Sequence, residues 1–145
     1  MLARREHSKH ELINKLRVRN YPDNIIFQTV DQLAAAGMQS DARFAESFVR
    51  SKVDRGRGPL RIRAGLMERG IEDGIIDEAL LQYEDGWRDL ALEVYNKRYR
   101  GHEPPRNIQE RARRSGFLQQ RGFTSAQIRY AIEQKHALKQ IEIES

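Results

Sequence analysis

The apolar residues of this chain follow one spacing that occurs three times, and each set predicts two helices joined by a tight turn. The positions of the three sets are Leu16, Tyr21, Ile26 and Val30, then Leu66, Ile71, Ile76 and Leu80, and finally Leu118, Phe123, Ile128 and Ile132. The residue before the second position of each set is Asn20, Gly70 or Gly122. These residue types tolerate the left-handed backbone conformation that commonly ends a helix.

A third helix is predicted after each of the first two helix pairs. Residues 41–52 and 87–98 both carry apolar residues at i, i+1, i+4 and i+5, a pattern that covers one face of a helix. The repeating unit is therefore predicted to contain three helices in about 50 residues. We expect an all-α tandem array of three-helix repeats that forms an elongated, curved molecule. Its predicted parts are a first repeat with a truncated leading helix, a second three-helix repeat and a third helical repeat, at residues 1–55, 56–103 and 104–145.

Short signals in the sequence support these helix boundaries. Ser8 with Glu11, and Thr124 with Gln127, have the spacing of a capping box, in which a hydroxyl accepts a hydrogen bond from a free amide at the start of a helix. The GRGP segment at residues 56–59 is expected to break the chain between two helices.

Aromatic side chains are expected mostly in the core, because helical spacing places them among other apolar residues. This prediction includes Phe48. Tyr21 and Phe123 each open a second helix and are predicted to act as hydrophobic staples that fix its entry angle.

The composition gives no sign of catalytic or metal chemistry. The 145 residues include no cysteine, which excludes disulfides, thiol nucleophiles and thiolate metal sites. The four histidines are scattered without metal-ligand spacing and are expected at the surface, and the GRG at residues 56–58 lacks the GK[ST] ending of a phosphate-binding loop. We expect no enzyme activity, no cofactor and no small-molecule substrate. Because neither a signal peptide nor a long apolar run is found, a cytoplasmic location without membrane association is also expected.

Positive charge is concentrated in three blocks of the chain. Residues 1–20, 50–69 and 97–121 carry net charges of +4, +5 and +6, whereas the remaining residues sum to −10. Each block runs from the end of a predicted third helix, or from the start of the chain, into the next first helix. We expect stacked repeats to bring these blocks onto one continuous strip that binds a macromolecule, although any single cation could equally be part of a solvated helix face.

The candidate binding residues lie in the second and third blocks. Arginine is favoured there because its planar guanidinium can bind a carboxylate or a phosphate through two parallel hydrogen bonds. The candidates are Arg50, Lys52, Arg55, Arg57, Arg61 and Arg63, which surround two glycines, and Arg111, Arg113 and Arg114, which precede Phe117.

Three segments of the sequence resemble the RecX family of bacterial recombination regulators. They are LARREHSKHEL near the start, DARFAESFVRSKVDRGRGPLRIRAGLMERGI in the middle and FLQQRGFTSAQI near the end. The middle segment is the most specific, since D-x-R-F-A is followed in order by a basic helix end, G-x-G-P and an R-I-R helix. The chain departs from the family in beginning almost at the first shared motif, where RecX-like chains often have more helix.

The resemblance implies a tandem array of three-helix units that modulates, and usually inhibits, the recombinase RecA. Such a protein is expected to lie in the helical groove of the RecA–DNA filament and to lower ATP hydrolysis and strand exchange without hydrolysing anything itself. The alternative is a helical module that binds single- or double-stranded DNA directly, for which the basic blocks alone are sufficient.

Overall fold

A computed structural model describes residues 5–144, with side chains described as far as His136, and every regular element in this part of the chain is a helix. A single turn of 3₁₀ helix at Glu84–Gly86 precedes α6, and no strand occurs within residues 5–144. The all-α prediction is confirmed. The helices of this part are α1 Lys9–Val18, α2 Asp23–Ala35, α3 Asp41–Asp54, α4 Pro59–Glu68, α5 Asp73–Leu81, α6 Trp87–Arg98, α7 Ile108–Gln120 and α8 Ser125–Glu144.

The three predicted tight turns are present and share one geometry. Asn20, Gly70 and Gly122 have positive φ angles of 66°, 75° and 99°. In each turn, the residue after the positive-φ position donates its amide to the carbonyl of a leucine five residues earlier, over 3.1–3.3 Å. This is the bond that closes a Schellman motif and satisfies a free carbonyl at the end of a helix. The apolar register therefore identified three equivalent helix ends.

The described residues fall into two compact units. The first unit comprises Met1–Ser51 and Arg63–Leu81, and the second comprises Lys52–Ile62 and Gln82–Ser145. In the first unit, Leu12 of α1 packs with Ile26 and Val30 of α2. In the second, α6 packs along α8, and Tyr95 and Phe123 are almost fully buried.

Both predicted capping boxes form. The amide of Glu11 donates to the Ser8 hydroxyl over 3.1 Å, and the Glu11 carboxylate accepts from the Ser8 amide over 3.1 Å. Thr124 and Gln127 make the same reciprocal pair over 3.3 and 3.0 Å. These bonds satisfy amides that have no partner within their own helix and so fix where α1 and α8 begin.

Three side-chain predictions are wrong. Tyr21 is 50% exposed and so does not act as a staple, although Phe123 is buried as expected. Phe48 is only half-buried, with its ring centroid 5.8 Å from that of the buried Phe44 and 4.8 Å from the guanidinium carbon of Arg69. His7 is 3% exposed instead of lying at the surface, and burial, followed by the charges of Arg5 and Lys15, lowers the pKa of its imidazole.

The described residues show neither a membrane-spanning helix nor a cluster of metal-ligating side chains. No helix among the described residues combines the length and apolar character needed to cross a bilayer. In the same residues, no three histidine, aspartate or glutamate side chains gather as a group able to hold a metal ion.

Candidate functional site

Two turns of the second unit meet through their backbones. The turn between α3 and α4 donates the amide of Gly58 to the carbonyl of Arg121 over 2.7 Å. The amide of Leu60, in the first turn of α4, donates to the carbonyl of Gly122 over 2.9 Å. The turn between α7 and α8 therefore supplies acceptors for amides that would otherwise be free at the start of α4. Two segments far apart in sequence are held together in this way.

Glycine is required on both sides of this contact. A Cβ atom at Gly58 would lie 2.5 Å from the carbonyl carbon and oxygen of Gly122, and a Cβ atom at Gly122 would lie 2.4 Å from Cβ of Arg61. Gly122 also has a positive φ angle, which L side chains rarely adopt. The two turns can therefore approach this closely only as glycines.

The joined turns bring four arginines together, and we call Arg55, Arg57, Arg61 and Arg121 the arginine cluster. Burial, and then the charges of Arg121, Arg61 and Arg55, lower the pKa of the Arg57 guanidinium. Arg61 donates to the backbone carbonyl of Gln120 over 3.1 Å. Within the described part of the chain, no carboxylate lies at ion-pair distance from any of the four. The cluster is therefore a local concentration of positive charge that is not neutralised internally.

Arginines of the first unit have a different environment, because most of them face carboxylates. Their ion pairs are surface contacts of the kind that add little to stability. The pairs are Arg5 with Glu11 at 3.2 Å, Arg17 with Asp23 at 3.4 Å, Arg43 with Glu6 at 3.1 Å, Arg69 with Glu11 at 3.8 Å, and Arg63 with Asp77. An anionic partner would thus meet mostly neutralised arginines there and un-neutralised ones at the cluster.

A groove of about 730 Å³ lies next to the arginine cluster within the second unit. Its lining includes one face of α6, the end of α3 and the end of α7. Phe117 lies in its wall, and the guanidinium groups of Arg98 and Arg121 lie 5.7 and 5.0 Å from the centre of its ring. These cation–π contacts hold two positive groups at the edge of an apolar surface.

Arg114, which the sequence placed among the binding residues, lies inside the second unit and is only 3% exposed. Its guanidinium donates to the Tyr95 hydroxyl over 2.9 Å, to the Glu103 carbonyl over 3.0 Å and to the Glu110 carboxylate over 2.7 Å. Burial alone would lower the pKa of Arg114, but the hydrogen bonds that its guanidinium donates to Tyr95 and Glu110 raise the pKa above its ordinary value. The guanidinium is buried and already has three internal hydrogen-bond partners, so Arg114 does not belong to the binding surface.

Comparison with known proteins identifies the family of this chain. Models of the first, second and third three-helix domains of RecX match residues 1–33, 40–80 and 88–132. The chain is 45% identical over 132 residues to Regulatory protein RecX of Chromohalobacter salexigens, covering 91% of this chain and 86% of that protein. It is 44% identical over 131 residues to Regulatory protein RecX of Halorhodospira halophila, covering 90% of this chain and 81% of that protein. The chain belongs to the RecX family.

Solved RecX structures share the fold. A crystal structure of RecX from Lactobacillus salivarius superimposes with a TM-score of 0.79 at 23% identity, covering 94% of this chain and 90% of that one. A second RecX crystal structure superimposes with a TM-score of 0.76 at 24% identity, covering 90% of this chain and 65% of that one. The matched second and third RecX domains begin close to the starts of α3 and α6. The boundaries expected from the sequence assign these helices to the preceding repeats, and that division stays a prediction.

The structure brings together only some of the residues predicted to bind a partner in this RecX-family chain. Arg55, Arg57 and Arg61 belong to the arginine cluster. The second unit also holds Lys52, which is half-buried, and the exposed Arg111 and Arg113; Arg111 pairs with Glu133 at 3.6 Å. The first unit holds Arg50, which is exposed, and Arg63, which pairs with Asp77. A continuous strip through all of these positions stays a prediction.

Arg121 and Arg98 were not among the residues singled out from the sequence. The sequence does carry a signal for Arg121. An arginine directly precedes the positive-φ residue in each of the three tight turns that join helix pairs, namely Arg19, Arg69 and Arg121. No comparable signal marks Arg98, whose role depends on the packing of α6 beside α7.

Proposed function

We propose that this RecX-family chain binds the RecA–DNA filament and lowers its ATPase and recombination activity without catalysing a reaction. Support comes first from its relatives, which are named regulatory proteins and match the chain over most of its length. Since RecA filaments assemble on cellular DNA, the proposal includes a cytoplasmic location.

The arginine cluster is the observation that carries this proposal. A nucleoprotein filament presents phosphates and acidic side chains, and an un-neutralised group of guanidiniums can bind either one. Binding at such a site would add the ion pairs that the free molecule lacks. The cluster is fixed by backbone hydrogen bonds, so little ordering of the backbone is needed when a partner binds.

A RecA ATPase assay with single-stranded DNA tests the proposal directly. We expect the wild-type chain to lower the rate of ATP hydrolysis at concentrations stoichiometric with RecA. A variant with Arg57, Arg61 and Arg121 replaced by alanine should need a substantially higher concentration for the same effect. The matched control replaces Arg17, Arg43 and Arg88, which removes the same charge from positions outside the cluster and should inhibit like wild type.

Two results would contradict the proposal. One is an unchanged ATPase rate with wild-type protein in excess over RecA. The other is an equal loss of inhibition in the cluster variant and in its charge-matched control, since net charge rather than the cluster would then explain binding.

Direct binding of DNA is the second candidate, and it too is favoured by the arginine cluster. If the cluster contacts phosphates, the affinity for duplex DNA should fall with salt, and each arginine removed should reduce the log–log slope by about 1. Fluorescence anisotropy of labelled DNA across a salt series measures this slope. A slope near zero in the wild-type chain would eliminate this candidate while leaving the RecA proposal in place.

A further inference from the structure

The groove beside the arginine cluster follows one open face of α6. Leu90, Glu93, Val94, Lys97 and Arg98 line it with the spacing i, i+3, i+4, i+7 and i+8. This face extends about 12 Å along the helix axis. A surface of that length matches about two turns of a partner helix or a short extended segment.

The other face of α6 is already used by the fold. Ala91 and Tyr95 have no exposed surface, and α6 packs closely with α8. The groove therefore lies on a side of α6 that the second unit itself leaves partly open.

The groove combines an apolar floor with a charged rim. Val53 and Leu90 form the deeper floor, and Val94 and Phe117 are half-buried and reachable from outside. The cations of the rim are Arg55, Lys97, Arg98 and Arg121, against the carboxylates Asp54 and Glu93. Glu93 is paired with Lys97 at 3.5 Å, which leaves an excess of positive charge around the apolar floor.

This chemistry favours a peptide over a nucleic-acid strand. A phosphodiester backbone could pair with the arginines but would leave the apolar floor of Val53 and Leu90 without a partner. An acidic peptide with an apolar anchor would bury that anchor on the floor and place its carboxylates beside the arginines. A volume of about 730 Å³ accommodates several side chains and lies in the range of specific binding sites.

We infer that the groove binds a short acidic segment of a protein partner through an apolar anchor placed against Val94 and Phe117. Taking that partner to be RecA rests on the proposed function. Because Arg55 and Arg121 belong to both the groove and the arginine cluster, a protein segment and a phosphate would bind side by side. This arrangement suits a partner made of protein and nucleic acid.

A synthetic peptide tests the groove without RecA. The probe is a fluorescein-labelled amphipathic helical peptide with two leucines one turn apart, flanked by glutamates, and its control has the same composition with the leucines on opposite faces. We expect the full-length wild-type chain to bind the first peptide saturably and at least roughly tenfold more tightly than the control.

Substitutions along α6 then locate the binding site. Val94→Glu places a carboxylate on the floor, and Arg98→Glu reverses a charge on the exposed rim, so each should weaken peptide binding by roughly tenfold or more. Arg88→Glu makes the same charge change on the same helix outside the groove and should bind like wild type. Arg98 is exposed, so its variant keeps the test decisive if Val94→Glu fails to fold. Equal binding by all of these proteins, or no saturable binding by wild type, would overturn the inference.

A photo-crosslinking amino acid at Val94 identifies the occupant in an assembled filament. We expect crosslinks to a RecA segment that has an apolar residue flanked by carboxylates, and crosslinks to DNA alone would overturn the inference. The two proposals can fail separately. A wild-type chain that binds the peptide but leaves the RecA ATPase unchanged refutes the proposed function and not the groove, whereas inhibition of RecA without peptide binding or protein crosslinks refutes the groove.

Discussion

Replacing Gly58 with alanine tests whether the contact between the two turns assembles the second unit. The added Cβ would meet the carbonyl carbon and oxygen of Gly122 at 2.5 Å and the amide nitrogen of Phe123 at 2.6 Å. All of these are backbone atoms, so no side-chain rotation can relieve the clash. The turns must therefore move apart, which breaks the hydrogen bonds that Gly58 and Leu60 donate across the contact.

The expected cost follows from those two hydrogen bonds. Each contributes about 0.5–1.5 kcal/mol net, so their loss should lower the free energy of unfolding by about 1–3 kcal/mol. Alanine also lowers the conformational entropy of the unfolded chain, which raises the free energy of unfolding by about 0.4–1 kcal/mol and offsets part of this loss. Subtracting the middle of the second range from the middle of the first gives a net destabilisation of about 1 kcal/mol. Separation of the turns should also disperse the arginine cluster, and the proposed function then predicts weaker inhibition of RecA.

Gly116→Ala is the matched control within the same unit. Gly116 lies inside α7, and nothing is within 4 Å of the place where its Cβ would be. Alanine should therefore stabilise the helix by about 0.5–1 kcal/mol, the opposite sign from the Gly58 variant. Urea unfolding followed by far-ultraviolet circular dichroism measures both changes. The reasoning is refuted if the Gly58 variant is as stable as wild type, or if the two glycine variants shift stability in the same direction.

Three further predictions concern buried and charged groups. Arg114→Ala should cost about 3 kcal/mol in a urea titration because it leaves buried polar partners unsatisfied, and wild-type stability would contradict the internal role of this arginine. Burial lowers the pKa of His7 in the fold, so unfolding takes up protons at this group as the pH falls below about 6.5. The free energy of unfolding should thus be insensitive to this group above that pH and fall as the pH decreases. His7→Gln should flatten this dependence on pH. An identical dependence in both proteins would show that groups other than His7 cause it. Tripolyphosphate should raise the Tm of wild type more than that of the variant lacking Arg57, Arg61 and Arg121, because an anion that binds only the folded cluster stabilises it; equal shifts would show that the anion acts elsewhere.

Local features of this fold could be predicted from the sequence because they depend on single residue types. Asn20, Gly70 and Gly122 mark the helix ends since few other residues adopt a positive φ angle. The capping box of Ser8 works within four residues of chain. Such features need no knowledge of what lies across the core.

The position of Arg114 shows why other features could not be predicted. It lies four residues before Leu118, as Leu12 precedes Leu16 and Ile62 precedes Leu66, and all three of these preceding positions are buried. The repeat thus places an arginine at a core position, but its charge suggested a surface role. Only the tertiary contacts with Tyr95 and Glu110 make its burial tolerable, and neither partner could be assigned from spacing alone.

The same limit applied to the candidate site. Arg55, Arg57 and Arg61 were found from their clustering in sequence, but their closeness to Arg121 depends on a backbone contact across more than 60 residues. Glycine at positions 58 and 122 was interpreted as a means of turning the chain. That the two glycines touch each other is a property of the folded molecule.

Backbone hydrogen bonds hold like charges side by side in the arginine cluster. The cluster therefore lowers the stability of the fold while serving the proposed binding of a partner. Each neutral replacement among Arg55, Arg57, Arg61 and Arg121 removes repulsion from the native state, so a selection for heat resistance alone would favour losing them. If the arginine cluster binds RecA as proposed, the most heat-stable variants from such a selection should bind RecA less well.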